Sequence, residues 1–462
     1  MTSNKKRRVM DSMGELEVDE GALYGAQTQR AINNFPISGT SMPVEFIKAL
    51  LQIKRAAALA NQQLDCLPEK ISNAIDYACL TLLNDPNLIQ HFPVDVFQTG
   101  SGTSSNMNVN EVVATLASRA SDLTINPNDH VNFGQSSNDV IPTAIHVSAV
   151  TAVSRDLLPA IDELISAISL KSDALQGVCK TGRTHLMDAM PVRMDQSLEG
   201  WAAQLANARD LISSTLAHLQ YVALGGTAVG TGINTHRDFS AASTQILSTN
   251  TGLEFLPAKD HFSLIGSQDS AVALSGQLKT LAVALLKISN DLRWMNSGPL
   301  AGLGEISLEP LQPGSSIMPG KVNPVIPEAV AMVAAQVIGN DAAITIAGQS
   351  GNFELNVMLP LIANNLLESV SLLSNSVPLL SKRAIATFEV NRDNLNTALH
   401  RNPILVTALN PIIGYDKAAE IAKLAYQTNR PIIDVAEESI DLSKKELLSL
   451  LDPQKLTEGG IP

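Results

Sequence analysis

Aromatic side chains are scarce: ten Phe, five Tyr and two Trp make up 4% of 462 residues. A core with so few rings must be aliphatic, and long runs of Ala, Leu, Ile and Val point to packed helices. Cysteine is scarcer still. Cys66, Cys79 and Cys179 are odd in number and no pair has CxxC spacing. That argues against a disulfide scaffold or a thiolate zinc site and for buried free thiols in a reducing compartment. The eight histidines show no HExxH or other close ligand spacing, so no metal site is expected. The N-terminus lacks the apolar stretch of a signal peptide, and no run of ~18 uncharged apolar residues appears. A cytoplasmic protein without membrane partners is the expectation. Positive charge is in deficit, with 32 Lys and Arg against 45 Asp and Glu, a net charge of -13 and a pI near 5.1. That argues against nucleic acid as a partner. The one basic run, Lys5 to Arg8, reads as a solvated, disordered end.

What is present is helical periodicity. A chain of this length suggests about three domains at ~150 residues each, and it can bury a large core without staples. Residues 1–135 read as a mainly helical domain punctuated by Pro93, the Thr99 to Thr103 run and Asn126-Pro127-Asn128-Asp129. The pattern changes near residue 136, where Asn138 and Asp139 can cap a helix with Pro142 in its first turn. Leu157, Leu158, Ile161, Leu164, Ile165 and Ile168 then form one apolar face. Trp201, Leu205, Ala208, Leu211, Ile212, Leu216 and Leu219 form a second. Leu274, Leu278, Leu281, Leu285, Ile288 and Leu292 form a third. Val330, Val333 and Val337 open a fourth. Leu366, Val370, Leu373, Val377 and Leu380 make a fifth, which Pro378 should kink or end. Residues 136–389 are thus predicted to be a bundle of five long helices. Helices of ~30 residues span about 45 Å, too long for a compact monomer, so oligomerisation is expected. Pro403, Pro411 and Pro431 divide residues 390–462 into the short pieces of a small helical domain, with Lys417 to Lys423 a good helix former.

Chemistry-bearing residues collect in the connectors. Glu309 to Pro324, between the third and fourth long helices, is rich in Gly and Pro and carries Ser315, Ser316, Lys321 and Asn323, the composition of an active-site lid. It is not a P-loop, because Val322 stands where Ser or Thr should follow the lysine. Arg183 to Ala189 joins the first two bundle helices and offers His185, which can relay protons near neutrality if a carboxylate such as Glu328 comes close. Two polar clusters, Thr99 to Asn106 and Gln135 to Asp139, sit just ahead of probable helix starts, where free N–H groups bind anions. The glycines from Gly225 to Gly232 follow a helix rather than a strand, which argues against a dinucleotide fold.

Together these segments resemble the fumarase/aspartase superfamily. Gly314 to Pro324, reading GSSIMPGKVNP, is similar to its signature. The resemblance runs from Asp11-Ser12-Met13-Gly14 to the segment Gly414 to Glu420. It implies a mainly α, three-domain fold around a five-helix bundle, homotetramers whose active sites draw loops from three subunits, and no cofactor. Within the superfamily, TGSGTSSNMN, SSND, Thr184-His185-Leu186 and Gly351 to Asn356 look like class II fumarase segments; aspartases typically carry Gln where His185 stands. The implied activity is reversible anti-elimination of water from (S)-malate to give fumarate. Aspartate ammonia-lyase is the alternative within the superfamily, and a catalytically silent structural homologue is a reading of a different class.

The same resemblance implies roles. Ser315 would be the base, as an alkoxide favoured by loop N–H groups and Lys321. His185, oriented by Glu328, would serve the departing hydroxyl; an alternative makes His185 the base. Lys321 and Asn323 would bind carboxylate oxygens, and Ser101, Thr103, Ser136, Ser137, Asn138, Thr184 and Ser316 would complete the cradle. An acidic chain binding a dicarboxylate must be positive locally, through a lysine and helix N-termini. A second carboxylate site is implied at Asn126, Pro127, Asn128 and Asp129, but Asn126 replaces the family's His and the usual preceding basic residues are missing.

Overall fold

The chain enters on a β-hairpin, which corrects the reading of its basic run as a disordered end. In the computed structural model, which describes residues 5–460, Lys6–Asp11 pairs antiparallel with Gly14–Asp19. Exposure alternates along the first strand, with Lys6, Arg8 and Met10 outward and Arg7, Val9 and Asp11 inward. The Arg7 guanidinium donates to the carbonyls of Ala22 and Tyr24 at 3.0 and 2.7 Å, and Arg30 clamps Asp11 at 2.8 and 3.0 Å. Four consecutive cations conceal this period of two.

The chain groups into two compact units. One comprises Met1–Pro159, Ala208–Ala282 and Ala335–Ser374; the other comprises Ala160–Asn207, Val283–Ala334 and Asn375–Pro462. In the first, the helix Val44–Gln63 packs against Glu69–Leu83, Phe239–Thr251 and Ser137–Ala152. Ile47, Leu50, Ile53 and Ala57 on it are sealed from solvent, and so are Lys54 and Asn61.

The five long helices form where the apolar periodicity predicts them. The first runs from Ser137–Ala152 through a π turn, Val153–Leu157, into Leu158–Ala174. The others are Met194–Leu219, Asp269–Met295, Val325–Gly348 and Leu359–Leu380. Leu274, Leu278, Leu281, Leu285, Ile288 and Leu292 are all fully buried. Leu211 is not: it is 38% exposed while its neighbour Ile212 is buried, being turned about 100° away from it around the helix. Val333, Leu158 and Ile165 are half-buried. The first helix is capped by Ser136 rather than by Asn138, with Asp139 closing a capping box, and Pro142 lies beyond its first turn. Pro378 does not end the last helix, which continues to Leu380 and widens into the π turn Ser381–Ile385.

Asp269–Met295 and Val325–Gly348 are each long and apolar enough to cross a membrane by length and composition alone. They are tied together by charge. Asp341 accepts from Lys279 at 2.6 Å and from Ser275 at 2.8 Å, and the adjacent Asn340 donates to Ser369 and Glu368 of the last helix at 3.1 Å each.

In the second unit, the C-terminal helices Tyr415–Thr428, Ile432–Ser439 and Lys444–Leu450 close on their own apolar cluster, which includes Leu409, Ile421, Val435 and Leu447. Every sheet among the described residues has two strands. A two-residue strand, Tyr221–Val222, does precede the glycines at 225–232, correcting the expectation of a helix directly before them. Of the cysteines only Cys79 is buried; Cys66 and Cys179 are half-buried, and all three are free.

Candidate active site

The connector after Asp269–Met295 contributes one short strand, Ile306–Ser307, which pairs with Glu389–Val390. Beyond it the chain has no regular structure until Val325. Glycine is required at its neck, since a Cβ on Gly314 would lie 2.0 Å from the Lys321 carbonyl oxygen. Asn323 fastens this pinch by donating to the Gly314 carbonyl, and Lys321 donates to the Asn323 amide oxygen. Within the loop, Ser315 Oγ accepts backbone N–H bonds from Met318 at 2.9 Å and Ile317 at 3.3 Å. Donors aimed at an oxygen favour its anionic form. Ser316, Ile317 and Met318 stand out to solvent.

His185 occupies the tip of a hairpin whose strands, Cys179–Thr184 and Met187–Arg193, join Thr184 to Met187. The turn is His185-Leu186 itself, with φ of 56° and 61°. Left-handed backbone at both positions is what a two-residue hairpin turn demands, and it is strained for residues that carry a side chain. The imidazole is exposed, with no hydrogen-bond partner among the described residues, and Thr184 beside it is exposed too. The hairpin's base is held by charge. The buried Glu305 carboxylate receives Lys180 at 2.6 Å and Arg183 at 2.7 Å.

Lys321, Asn323 and Glu328 line one cavity of ≈ 400 Å³, together with Arg293, Trp294, Asn290 and Asn296. Glu328 sits in the first turn of Val325–Gly348. Neither Ser315 nor His185 lines this cavity, and no hydrogen bond or ion pair joins His185 to Glu328 among the described residues.

In the first unit, both polar clusters stand at helix starts. Thr103 is the first residue of Thr103–Ala120, behind Gly102, and Ser101 Oγ lies 2.8 Å from Thr103 Oγ1. Gly100 lets this loop reach the backbone at Val357: an added Cβ would lie 1.8 Å from the Val357 carbonyl oxygen, and Leu359 N–H bonds the Gly100 carbonyl at 3.0 Å. Ser136 caps Ser137–Ala152, and Asn138 donates to the Ala228 carbonyl at 2.7 Å. Behind them the buried Asp139 carboxylate accepts N–H bonds from Ser136, Thr227 and Gly225 at 2.9 to 3.0 Å. Burial still pushes its pKa up, against those bonds and nearby Lys54. The candidate second site forms a π turn, Pro127–Val131, and Asn126 Oδ1 is taken by the N–H groups of Asn128 and Asp129 at 2.8 and 3.0 Å.

Two groups went unnoticed in the sequence. Glu305 has no motif around it. Lys54 had a signal: it shares a three- and four-residue stripe with Ile47, Leu50, Ala57 and Asn61, on the buried face of its helix. Burial lowers its pKa to about 7, against the pull of Asp139.

Comparison with known proteins gives concordant results. Residues 14–339 match the family model of a lyase, and residues 405–458 match that of the fumarase C C-terminus. A Pseudomonas aeruginosa protein named fumarate hydratase class II 2 is 65% identical over the full length of both chains. A fumarate hydratase class II of Xylella fastidiosa is 58% identical, covering 99% of this chain and 97% of the other. Among solved structures, recombinant class II fumarase from Schistosoma mansoni superposes with a TM-score of 0.96 at 37% identity, covering 98% of this chain and 99% of that one. A fumarate lyase:delta crystallin from Brucella melitensis gives 0.92 at 40% identity, covering 98% and 100%.

Proposed function

The chain belongs to the class II fumarate hydratases of the lyase family, and from that premise we propose how its own residues interconvert (S)-malate and fumarate. The activity is that of a hydro-lyase acting on a small dicarboxylate. The hard step is removal of a proton from C3 of malate, beside the C4 carboxylate. The electron pair left behind delocalises into that carboxylate as an aci-dianion. It then returns to form the C2–C3 double bond as the C2–O bond breaks and the hydroxyl leaves, protonated, as water. Stabilising the aci-dianion is the main catalytic demand.

Ser315 takes the C3 proton. The observation that carries this assignment is the pair of backbone N–H groups, from Ile317 and Met318, on its Oγ. Both would strengthen toward an alkoxide. Lys321 and Asn323 hold carboxylate oxygens, and Lys321 supplies positive charge locally on an otherwise acidic chain. His185, exposed on its strained tip, protonates the departing hydroxyl directly or through water. Glu328 orients it across a subunit boundary, which accounts for their separation within one chain. Ser101, Thr103, Ser136, Ser137, Asn138, Thr184 and Ser316 complete the cradle.

A homotetramer with sites shared among three subunits follows. Val283, Met332 and Ile346 on the long helices are 53 to 68% exposed in the isolated chain, an apolar surface that association would cover. The location is cytoplasmic, in keeping with free thiols. The test offers malate, aspartate and argininosuccinate separately and follows the ultraviolet absorbance of the product double bond. Malate alone should react. Turnover of aspartate with ammonia release, and none of malate, would overturn the assignment.

A further inference from the structure

Lys54 is fully buried in the middle of an apolar helix, yet it is neither ion-paired nor idle. Its ammonium nitrogen donates to Asn132 Oδ1 and to Gln135 Oε1, each at 2.9 Å. Asn132 Oδ1 also receives Asn106 Nδ2 at 3.2 Å and Asn110 Nδ2 at 3.2 Å. The second N–H of the Asn106 amide reaches Ser137 Oγ at 3.0 Å. A connected relay therefore runs from Lys54 through Asn132 and Asn106 to Ser137, which opens the helix Ser137–Ala152.

The direction of every bond in the relay follows from its first member. As an ammonium, Lys54 has three N–H donors and no acceptor, so toward both side chains it can only donate. The amide oxygens of Asn132 and Gln135 must therefore face it. The Asn132 amide nitrogen then points away and donates to the Gln135 carbonyl at 3.1 Å. With the Asn132 oxygen fixed inward, Asn106 can present only its NH₂ to it, and the same NH₂ donates to Ser137. The Ser137 hydroxyl is thereby an acceptor on its inner side, and its own proton is free to point outward.

We propose that Lys54 is a positioning residue for substrate binding: it sets the polarity of a buried amide relay so that the Ser137 hydroxyl donates to a carboxylate of the dicarboxylate substrate. This rests on the reading of Ser137 as part of the cradle. Without Lys54 the Asn132 and Asn106 amides are free to flip. Asn106 would then offer an oxygen to Ser137, turning the hydroxyl proton inward and presenting lone pairs to the substrate's negative charge.

The test is a double-mutant cycle of Lys54→Met and Ser137→Ala, measured as KM and kcat for malate and fumarate. Each single variant should raise KM about tenfold, as expected for one lost hydrogen bond to a charged group, with a smaller change in kcat. The double variant should be no worse than either. Lys54→Gln, whose amide can donate to the same two oxygens, should bring KM back toward the parent value; a role confined to filling the core would not be rescued through KM. An unchanged KM in Ser137→Ala would overturn the cradle reading itself. An impaired Ser137→Ala beside an unaffected Lys54→Met, or effects that multiply in the double variant, would overturn the role of Lys54 alone. If Lys54→Met fails to assemble, Asn106→Leu cuts the relay one step later, and multiplicative effects with Ser137→Ala would equally refute it.

Discussion

The Lys180 ammonium and the Glu305 carboxylate meet at 2.6 Å with their side chains 10% and 4% exposed, joining the hairpin that carries His185 to the root of the connector that carries Ser315. Arg183 occupies the second carboxylate oxygen at 2.7 Å. Two cations on one strand thus depend on one buried anion from a segment more than a hundred positions away. Removing that anion strands both, which costs about 3–5 kcal/mol for a buried pair. Glu305→Ala should melt well below the parent and lose turnover because the hairpin tip loses its anchor. Glu305→Gln should be milder, since its amide oxygen still accepts a bond. A Glu305→Ala protein melting within about 2 °C of the parent would show the pair to be energetically silent.

Ser315→Ala removes the oxygen on which Met318 and Ile317 N–H groups converge. Loss of a positioned base lowers kcat by about 10²–10⁴-fold. Circular dichroism and the assembled mass should not change, because the side chain is held only by its own loop. His185→Asn should impair turnover comparably. Near-parental kcat in Ser315→Ala, with a crippled His185→Asn, would transfer the proton abstraction to the imidazole.

The helices were legible because burial follows a period that any apolar stripe reports. Leu274 through Leu292 is the clearest case, every member fully buried. The loop Gly314 to Pro324 was legible from its glycines, one of which proves sterically obligatory. Elsewhere the governing signal was absent or masked. The strand Lys6–Asp11 hides behind a run of like charge. The His185 hairpin lacks the Asn-Gly or Asp-Gly that normally announces a two-residue turn. Lys54 is a lone polar residue in an apolar stripe, and nothing in that stripe reports the distant Asn132 and Gln135 that reach it. The proposed sharing of a site among subunits is beyond any local pattern, since residues that would meet only on assembly share no spacing.

Gly100 separates steric need from simple flexibility. Its missing side chain admits the Val357 carbonyl, which a Cβ would approach to 1.8 Å. Backbone cannot rotate out of the way as a side chain can, so Gly100→Ala should destabilise by roughly 1–3 kcal/mol. It should also raise KM by displacing Ser101. Gly200 is the control. It lies inside Met194–Leu219 with nothing within 4 Å of a built Cβ, so Gly200→Ala should stabilise by roughly 0.5–1 kcal/mol through helix propensity. Equal melting shifts for the two variants would refute the distinction.

The hairpin tip offers a test of stored strain. Leu186 holds φ at 61° and is 62% exposed, a conformation that costs an L-residue roughly 1–2 kcal/mol. Leu186→Gly removes that cost at a turn whose twist already suits glycine. The variant should melt higher than the parent while kcat falls, because the adjacent His185 loses a rigid neighbour. A lower melting temperature would mean that the Leu186 side chain stabilises the protein by more than its backbone strain costs.

Lys54 makes stability depend on pH in a direction opposite to that of most ion-paired lysines. Burial lowers its folded pKa to about 7, from the ordinary lysine value of 10.5. Below about pH 7 the side chain is protonated in both states, and the folded protein bears the cost of a buried charge. Between about pH 7 and 10.5 the unfolded chain still binds the proton that the folded protein has released. Stability then rises with pH by up to about 1.4 kcal/mol per unit from this one group. The difference in unfolding free energy between the parent and Lys54→Met isolates that slope from every other titration, so it should widen in the parent's favour from pH 7 to pH 9.5 and stay flat from pH 5.5 to 6.5. A constant difference across the whole range would mean that Lys54 keeps its proton, and that Asp139, close enough to favour the charged form, outweighs the desolvation.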